Sequence, residues 1–288
     1  MINKLTINCV KIYAAVYGVF KDAFNINIPG LGFMIRRIKT DCILEVYGRK
    51  IYFNRLVSGA YGRHFSGNWN EPETHIFLNS IIKSLKNEVI FVDVGANIGE
   101  MVIDVARNAN VVGIYAYEPI PECATSIRKS CELNLIKNCK VIEMLVGNKQ
   151  ELVSFSVSQD ISDSSAHFNE KFSNNIHKIE MTTLDVSLAN IDKALIILID
   201  VEGMELEVMR GAISLINRLA PLTIFEYNYV SKRHYHITEI QDNLGPDWQI
   251  YRLRADARLD KNIEDAWNCV AFHRKSTFSE LANAMLLA

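Results

Sequence analysis

The chain has 288 residues, 49% of them apolar, and a formal net charge of -2. That is enough for one large or two modest domains with a sizeable core, and the slightly acidic balance, without a long basic run, argues against a nucleic-acid partner. The six cysteines (Cys9, Cys42, Cys123, Cys131, Cys139 and Cys269) are scattered with no Cys-x-x-Cys pair, which points away from a zinc site or a disulfide framework and toward a reducing cytoplasm.

The first 40 residues are apolar and aromatic between Lys4 and Lys21, then basic at Arg36, Arg37 and Lys39 behind the run Leu31 to Ile38. The first run is interrupted by Lys11 and falls short of the roughly 20 apolar residues of a spanning helix. A hydrophobic face with basic neighbours can lie in a membrane interface, here the inner face. It can equally pack on the main domain or on a second copy of the chain. Cys42 to Tyr47 and Lys50 to Asn54 flank Gly48-Arg49 and read as a hairpin. Leu56 to Asn70 reads as a loop. Glu71-Pro72-Glu73 opens a helix that runs to about Leu85 and buries Ile76, Phe77, Ile81 and Ile82.

The stretch Val89 to Pro119 organises the rest. Val89 to Val92 is a buried strand, a turn with Gly95 and Gly99 follows, Ile98 to Arg107 has helical spacing, and a second strand, Val111 to Tyr117, ends in Glu118-Pro119. Glycines that admit a close backbone, free N–H groups at a helix start and an acid about 20 residues on make a site for a nucleotide-like ligand. Asn97 stands where a dinucleotide fingerprint has glycine, and Asp93 puts a carboxylate where pyrophosphate would lie. S-adenosylmethionine, with a ribose, an amino-acid end and no phosphate, suits both features. An ordinary α/β unit whose glycines serve only packing stays open on these residues alone.

Downstream, Glu122 to Leu133 reads as a helix with Cys123 and Cys131 in the core, Cys139 to Val146 as a third strand and Glu151 to Val157 as a fourth. Gln159 to Asn175 is a polar loop, long enough to suggest a functional role, and Lys178 to Thr182 is a short strand. Ala194 to Ile199 is the most apolar strand and runs into Asp200-Val-Glu202-Gly203. A helix from Met204 to Ile216, a strand from Leu222 to Phe225 ending in Glu226, a final strand pair at Trp248 to Arg254 and Trp267 to His273, and a helical tail, Phe278 to Leu287, complete the chain. The order predicts an α/β fold with a mostly parallel central sheet, an antiparallel final strand and helices on both faces. An N-terminal extension, 1–70, precedes one domain, 71–288, whose catalytic part ends near 275.

Acids follow the strands at Asp93, Glu118, Asp200 and Glu226. Ligands of parallel sheets bind outside the carboxyl ends, so these acids converge on one crevice. Singly, Asp200 could instead cap the following helix, and Glu226 could pair with Arg233 or Lys232.

These residues resemble the FkbM-type S-adenosylmethionine-dependent methyltransferases across roughly 70 to 230. The resemblance rests on Asp93-Val-Gly95-Ala96-Asn97-Ile-Gly99, Glu118-Pro119, the Asn134 region, Thr183-Leu184-Asp185, Ile199-Asp200-Val-Glu202-Gly203-Met-Glu205, Gly211-Ala212 and Glu226. Leu198 departs from it: the family usually has lysine there. The resemblance implies a Rossmann-like fold and methyl transfer to a sugar or glycan hydroxyl, a reaction that needs held reactants and a base. On this reading Asp93, Gly95, Asn97 and Gly99 hold the methionine end of the cofactor, Glu118 binds the ribose hydroxyls, Met144 and Leu145 line the adenine, and Ala96 and Pro119 also bind the cofactor. Asp200, Glu202 and Glu226 then face the acceptor as base or as ligands of a divalent metal. His75, His234 and His236 are weaker candidates. A nicotinamide-dependent oxidoreductase and a non-catalytic, membrane-docked scaffold of glycan assembly are the rival readings. A homo-oligomer built through the N-terminal segment is a further expectation.

Overall fold

A computed structural model describes residues 7–16, 30–156 and 176–287. The predicted loop Gln159 to Asn175 and the end of the first apolar run lie outside them. The chain opens with helix α1 (7–16) and α2 (Leu31–Ile35), followed by a hairpin of β1 (Cys42–Val46) and β2 (Arg49–Phe53). Its turn is one residue earlier than predicted. Val46 pairs with Arg49, and Tyr47 and Gly48 form the turn with φ of 46° and 76°, the pair of positive values that matches a hairpin's twist. The predicted loop over Leu56 to Asn70 carries two 3-10 turns, Arg55–Tyr61 and His64–Ser66.

The main domain begins with α3 (Pro72–Ser84), β3 (Val89–Val94), α4 (Glu100–Val105), β4 (Val111–Tyr117), α5 (Pro121–Leu133) and β5 (Cys139–Ile142). Within α3, Ile76 is 55% exposed, contrary to expectation; Phe77, Leu78, Ile81 and Ile82 make the buried stripe. The predicted strand Cys139 to Val146 is two strands. Glu143 and Met144 break it, and β6 (Leu145–Val146) joins a separate three-stranded sheet with β7 (Glu151–Ser156) and β8 (Ile176–Thr182).

After α6 (Leu184–Ser187) and β9 (Ala194–Ile199), the helix predicted from Met204 to Ile216 is broken into α7 (Glu205–Arg210) and α8 (Ile213–Leu219). The second piece has its own start. The Asp185 carboxylate accepts from the N–H groups of Ser214 and Leu215 at 3.1 and 2.7 Å, satisfying donors that a continuous helix would have bonded internally. β10 (Leu222–Glu226) leads to α9 (Ile237–Leu244), an element absent from the sequence expectation, then β11 (Trp248–Leu253), β12 (Leu259–Asp260) and β13 (Asn268–His273). The tail is helical only over α10 (Ser279–Asn283), after which Leu286 bridges to Leu259.

The large sheet runs β12-β11-β13-β10-β9-β3-β4-β5. β5, β4, β3, β9 and β10 are mutually parallel, and β13 enters antiparallel between β10 and β11. Both faces are covered. One packs α3, α4, α5 and α10 over Phe91, Ile114, Ile196 and Ile224; the other packs α7, α8 and α9 over Val92, Ile197, Ile199 and Phe225. A third apolar cluster joins Val10, Leu31, Leu44 and Phe53 of the N-terminal layer to Ile98, Ile103 and Cys123. Asn134 ties that layer down by exchanging hydrogen bonds with the backbone of Lys50 on β2. This is a Rossmann-like, doubly wound α/β fold, with β3 and β9 adjacent at the point where the chain order reverses.

Candidate active site

Strand register explains why the acids meet. Ala116, Asp93, Leu198, Ile224 and Val270 are successive ladder partners across five strands. All but Asp93 belong to the core under α3 and α4. Side chains alternate faces, so the residues two steps on point the same way. Those residues are Glu118, Gly95, Asp200, Glu226 and, on the antiparallel strand, Asn268. A row of carboxylates thus lies along the carboxyl edge, broken by a glycine at the switch point. Leu198, where the resemblance leads one to expect lysine, is 6% exposed and lies one row beneath Asp200; it offers Asp93 no cation.

Gly95 has a φ of 86°, and a Cβ there would sit 1.8 Å from the carbonyl oxygen of Asp200. The turn is held by N–H groups of Gly95 and Ala96 donating to the Tyr117 carbonyl at 3.0 Å each. Asn97 adopts a left-handed φ of 49°, a conformation asparagine tolerates. Glu118 locks it: one carboxylate oxygen accepts from the Asn97 N–H at 2.7 Å, the other from the Ile120 N–H at 2.9 Å. Glu118 is buried, and burial outweighs those two donors, pushing its carboxyl up to about 8. Asp93, also buried, is pushed up to about 7 by burial, while the charge of His75 pulls the other way. Ala96 is buried; Pro119 and Met144 are half-buried; Leu145 packs against the N-terminal core.

Beyond β9, Asp200 is exposed as a residue, yet the surrounding protein desolvates its carboxyl. Its N–H donates to the Val94 carbonyl at 2.9 Å, joining the two switch-point strands. That desolvation, then the charges of Glu226, Glu71, Glu202 and Glu205, raise its carboxyl well above the ordinary range. Glu202 has a φ of 53°, unusual for a residue with a side chain. Glu205 is fully buried and fixes this bend by accepting from the Gly203 N–H at 2.9 Å. Glu226 is 6% exposed, is pushed up to about 8 first by burial, and leaves Oε2 without a hydrogen-bond partner among the described residues.

The structural alternatives for these acids are not what the structure shows. The cap residue of α7 is Met204, with no side-chain cap bond. Lys232 donates to the Glu264 carbonyl, and Arg233 lies over the Tyr229 ring. Among the described residues, no three or more His, Cys, Asp or Glu side chains are gathered closely enough to hold a metal ion.

Glu71 was read from sequence only as a helix start, yet it joins the row. Its carboxylate accepts from Asn268 Nδ2 at 2.7 Å and Thr74 Oγ1 at 3.1 Å, and Asn268 is the ladder partner of Glu226. The only advance signal was an acid ahead of the helix that precedes β3. The histidines separate. His75 stacks on Trp69 at 4.7 Å and bonds Asp104 and Glu100 at 2.7 and 2.9 Å, a buried brace under the glycine turn. Hydrogen bonds to these acids override desolvation and push His75 up to about 8; against desolvation, His64 at 2.9 Å and then His75 hold Glu100 below the usual range, and His75 with Arg107 does the same for Asp104. His236 caps α9 in a capping box with Glu239. His234 is exposed with its ring against Gly203, at the mouth of the crevice.

These shifts set a pH dependence. Glu118 and His75 bind protons more tightly folded than unfolded. Their stabilisation is complete below their unfolded values and is lost as pH rises through about 8. Glu100 and Asp104 act oppositely, losing theirs as pH falls below the ordinary carboxylate range. The melting temperature should therefore peak near about pH 5–6 and decline toward pH 9, and Glu118→Gln should flatten the alkaline decline. A melting temperature that climbs steadily to pH 9 would contradict this account.

The description "Methyltransferase FkbM domain" matches residues 93–247. Among solved structures, the chain is similar to methyltransferase FkbM from Methylobacillus flagellatus KT, at 19% identity and a TM-score of 0.45 over 76% of this chain. It covers 54% of that chain, about half its length. It is also similar to M. jannaschii TYW2 in complex with AdoMet (14% identity, TM-score 0.41, 81% of this chain and 85% of that one). A third is the ribosomal protein L11 methylase of Lactobacillus delbrueckii subsp. bulgaricus (16%, 0.41, 72% and 80%). No curated protein matches the chain. With more than half of its 288 residues matched by the family description, the chain belongs to the FkbM methyltransferase family.

Proposed function

We propose that the protein transfers a methyl group from S-adenosylmethionine to a hydroxyl oxygen of a sugar or glycan. The observation that carries this reading is the single row Glu118, Gly95, Asp200 and Glu226 along the carboxyl edge of the sheet, with the cradle at Gly95 that a Cβ would fill. The donor set fits the cofactor: carboxylates for an ammonium and for ribose hydroxyls. Asp93 and the turn from Gly95 to Gly99 would hold the amino-acid end, and Glu118, each of whose oxygens has a second lone pair, the ribose. Pro119 and Met144 would border the adenine. When bound, the cofactor supplies an activated methyl carried on a sulfonium.

The chain's own task is to hold the acceptor hydroxyl in line and take its proton. Glu226 suits the second part. Its carboxyl, pushed up to about 8, is basic enough to accept a proton near neutral pH. A positively charged ligand nearby would favour its ionised form. Asp200 and Glu202 flank the same approach, Glu202 on a bend that Glu205 holds.

Calorimetry tests the cofactor half. S-adenosylmethionine should bind and NAD should not, and Glu118→Ala should weaken S-adenosylmethionine by about tenfold to a hundredfold, the loss of two hydrogen bonds. Undiminished affinity in that variant removes the ribose assignment. Transfer of labelled methyl into glycan hydroxyls, read by the position of the new ether in the product, tests the acceptor half; label recovered on nitrogen or carbon would overturn it.

A further inference from the structure

We propose that the N-terminal layer docks the protein on an anionic lipid surface. In α1, Val10 and Ala14 are fully buried in the third core, whereas Ile12 and Val16, one turn apart, are 69% and 46% exposed. In α2, Leu31 and Ile35 are buried while Phe33 is 55% exposed. Ile43, alternating with the buried Leu44 on β1, is 51% exposed. Each element thus spends one face on the core and turns a large apolar side chain outward.

The three elements form one layer. The Tyr13 hydroxyl of α1 lies against Gly30, at the start of α2, and the ammonium of Lys11 acts on Cys42 at the start of β1. Ile43 also lines a groove of about 700 Å³ with Cys42, Tyr52 and Leu133, whose charged wall residues are Asp41, Lys129 and Glu132.

Charge identifies the occupant. Lys11, Arg36, Arg37 and Lys39 are all exposed on this layer. Arg37 lies over the Phe33 ring at 4.1 Å, an amphipathic pair with its cation outward. Against these cations the layer also exposes the acids Asp41 and Glu45, so its balance is positive on a chain of net charge -2. Exposed aliphatic and aromatic side chains rimmed by Lys and Arg match a bilayer interface whose headgroups are negative. A second copy of the chain would bring like charges together instead. No helix among the described residues is long and apolar enough to cross a membrane, so the contact is peripheral. The layer shares its core with Ile98, next to the Asn97 turn, so docking would put the candidate site close to the lipid surface.

Sedimentation of the full chain with vesicles tests this. The protein should partition onto phosphatidylcholine vesicles containing roughly a third phosphatidylglycerol and release from them as salt is raised. It should bind phosphatidylcholine alone at least tenfold more weakly. Lys11→Gln, Arg37→Gln and Lys39→Gln combined should weaken binding by about a hundredfold, near fivefold for each charge. Phe33→Ser alone should weaken it by about tenfold. Each variant should keep the melting temperature and S-adenosylmethionine affinity of the parent, since these residues are exposed and touch no site residue. Equal binding to neutral and anionic vesicles, or unaltered binding by the triple variant, overturns the proposal. So does an absence of vesicle binding alongside a dimer that Phe33→Ser dissociates.

Discussion

Replacing Gly95 with alanine should lower the melting temperature by about 10 °C and abolish S-adenosylmethionine binding. Two independent penalties meet at this position. The backbone sits at a φ of 86°, where a Cβ costs about 1 kcal/mol. The added atom would also lie 1.8 Å from the Asp200 carbonyl oxygen and 2.9 Å from its carbon. Neither partner can yield cheaply. Asp200 is bonded through its N–H to Val94, and Gly95 and Ala96 are both bonded to Tyr117. Relief would require moving the backbone of the candidate catalytic acid and breaking one of those bonds, a combined cost of about 3–5 kcal/mol, with each kcal/mol worth about 2–4 °C in a chain of this size. Gly48→Ala is the control. Its φ is 76° but nothing lies within 4 Å of the added atom, so only the first penalty applies. Scanning fluorimetry and calorimetry on the two variants separate contact from conformation. If Gly95→Ala melts no lower than Gly48→Ala, the close approach of the two switch-point loops is not real.

That approach also marks where the sequence could be read and where it could not. The strands β3, β4, β9 and β10 were legible because each is a short apolar run closed by an acid or a glycine, and the acids announced which end of the sheet carries the site. The glycine turn was legible because its residues are needed locally. What escaped were pairings set by distant partners. Cys139 to Val146 is apolar enough to read as one strand, but Leu145 finds its ladder in Met181, so the run divides between two sheets. Met204 to Ile216 has unbroken helical spacing, and only the Asp185 carboxylate, from another element, reveals the second start. Glu71 looked like helix-start chemistry, and no local pattern could announce that Asn268, nearly 200 residues away, holds it beside Glu226. His75 looked like a lone histidine near a helix start; the brace it forms needs Trp69, Glu100 and Asp104 brought together by the fold.

Asp200→Asn should separate activity from stability in opposite directions. The substitution keeps the shape of the side chain and removes a carboxyl whose ionisation is opposed by burial and then by Glu226, Glu71, Glu202 and Glu205. Like charges in one crevice oppose folding unless a ligand or a proton relieves them. Asparagine should therefore raise the melting temperature of the free protein by roughly 2–4 °C, about 1 kcal/mol after screening at the exposed Asp200 is discounted. If Asp200 helps draw the proton from the acceptor hydroxyl, kcat with the acceptor found in the labelled-methyl assay should fall by about a hundredfold to ten-thousandfold, while S-adenosylmethionine affinity changes far less. Glu226→Gln, on the same row but with its Oε2 already without a partner, should show the same pairing of a slower reaction with an unweakened fold. A carboxylate kept only to support the fold would behave the other way: its removal would cost stability and leave turnover intact. A lower melting temperature with unchanged kcat in Asp200→Asn would assign that residue to the scaffold and leave Glu226 as the base to examine. The expected result, a more stable and slower protein, is the signature of charge held in place for chemistry at the expense of the fold.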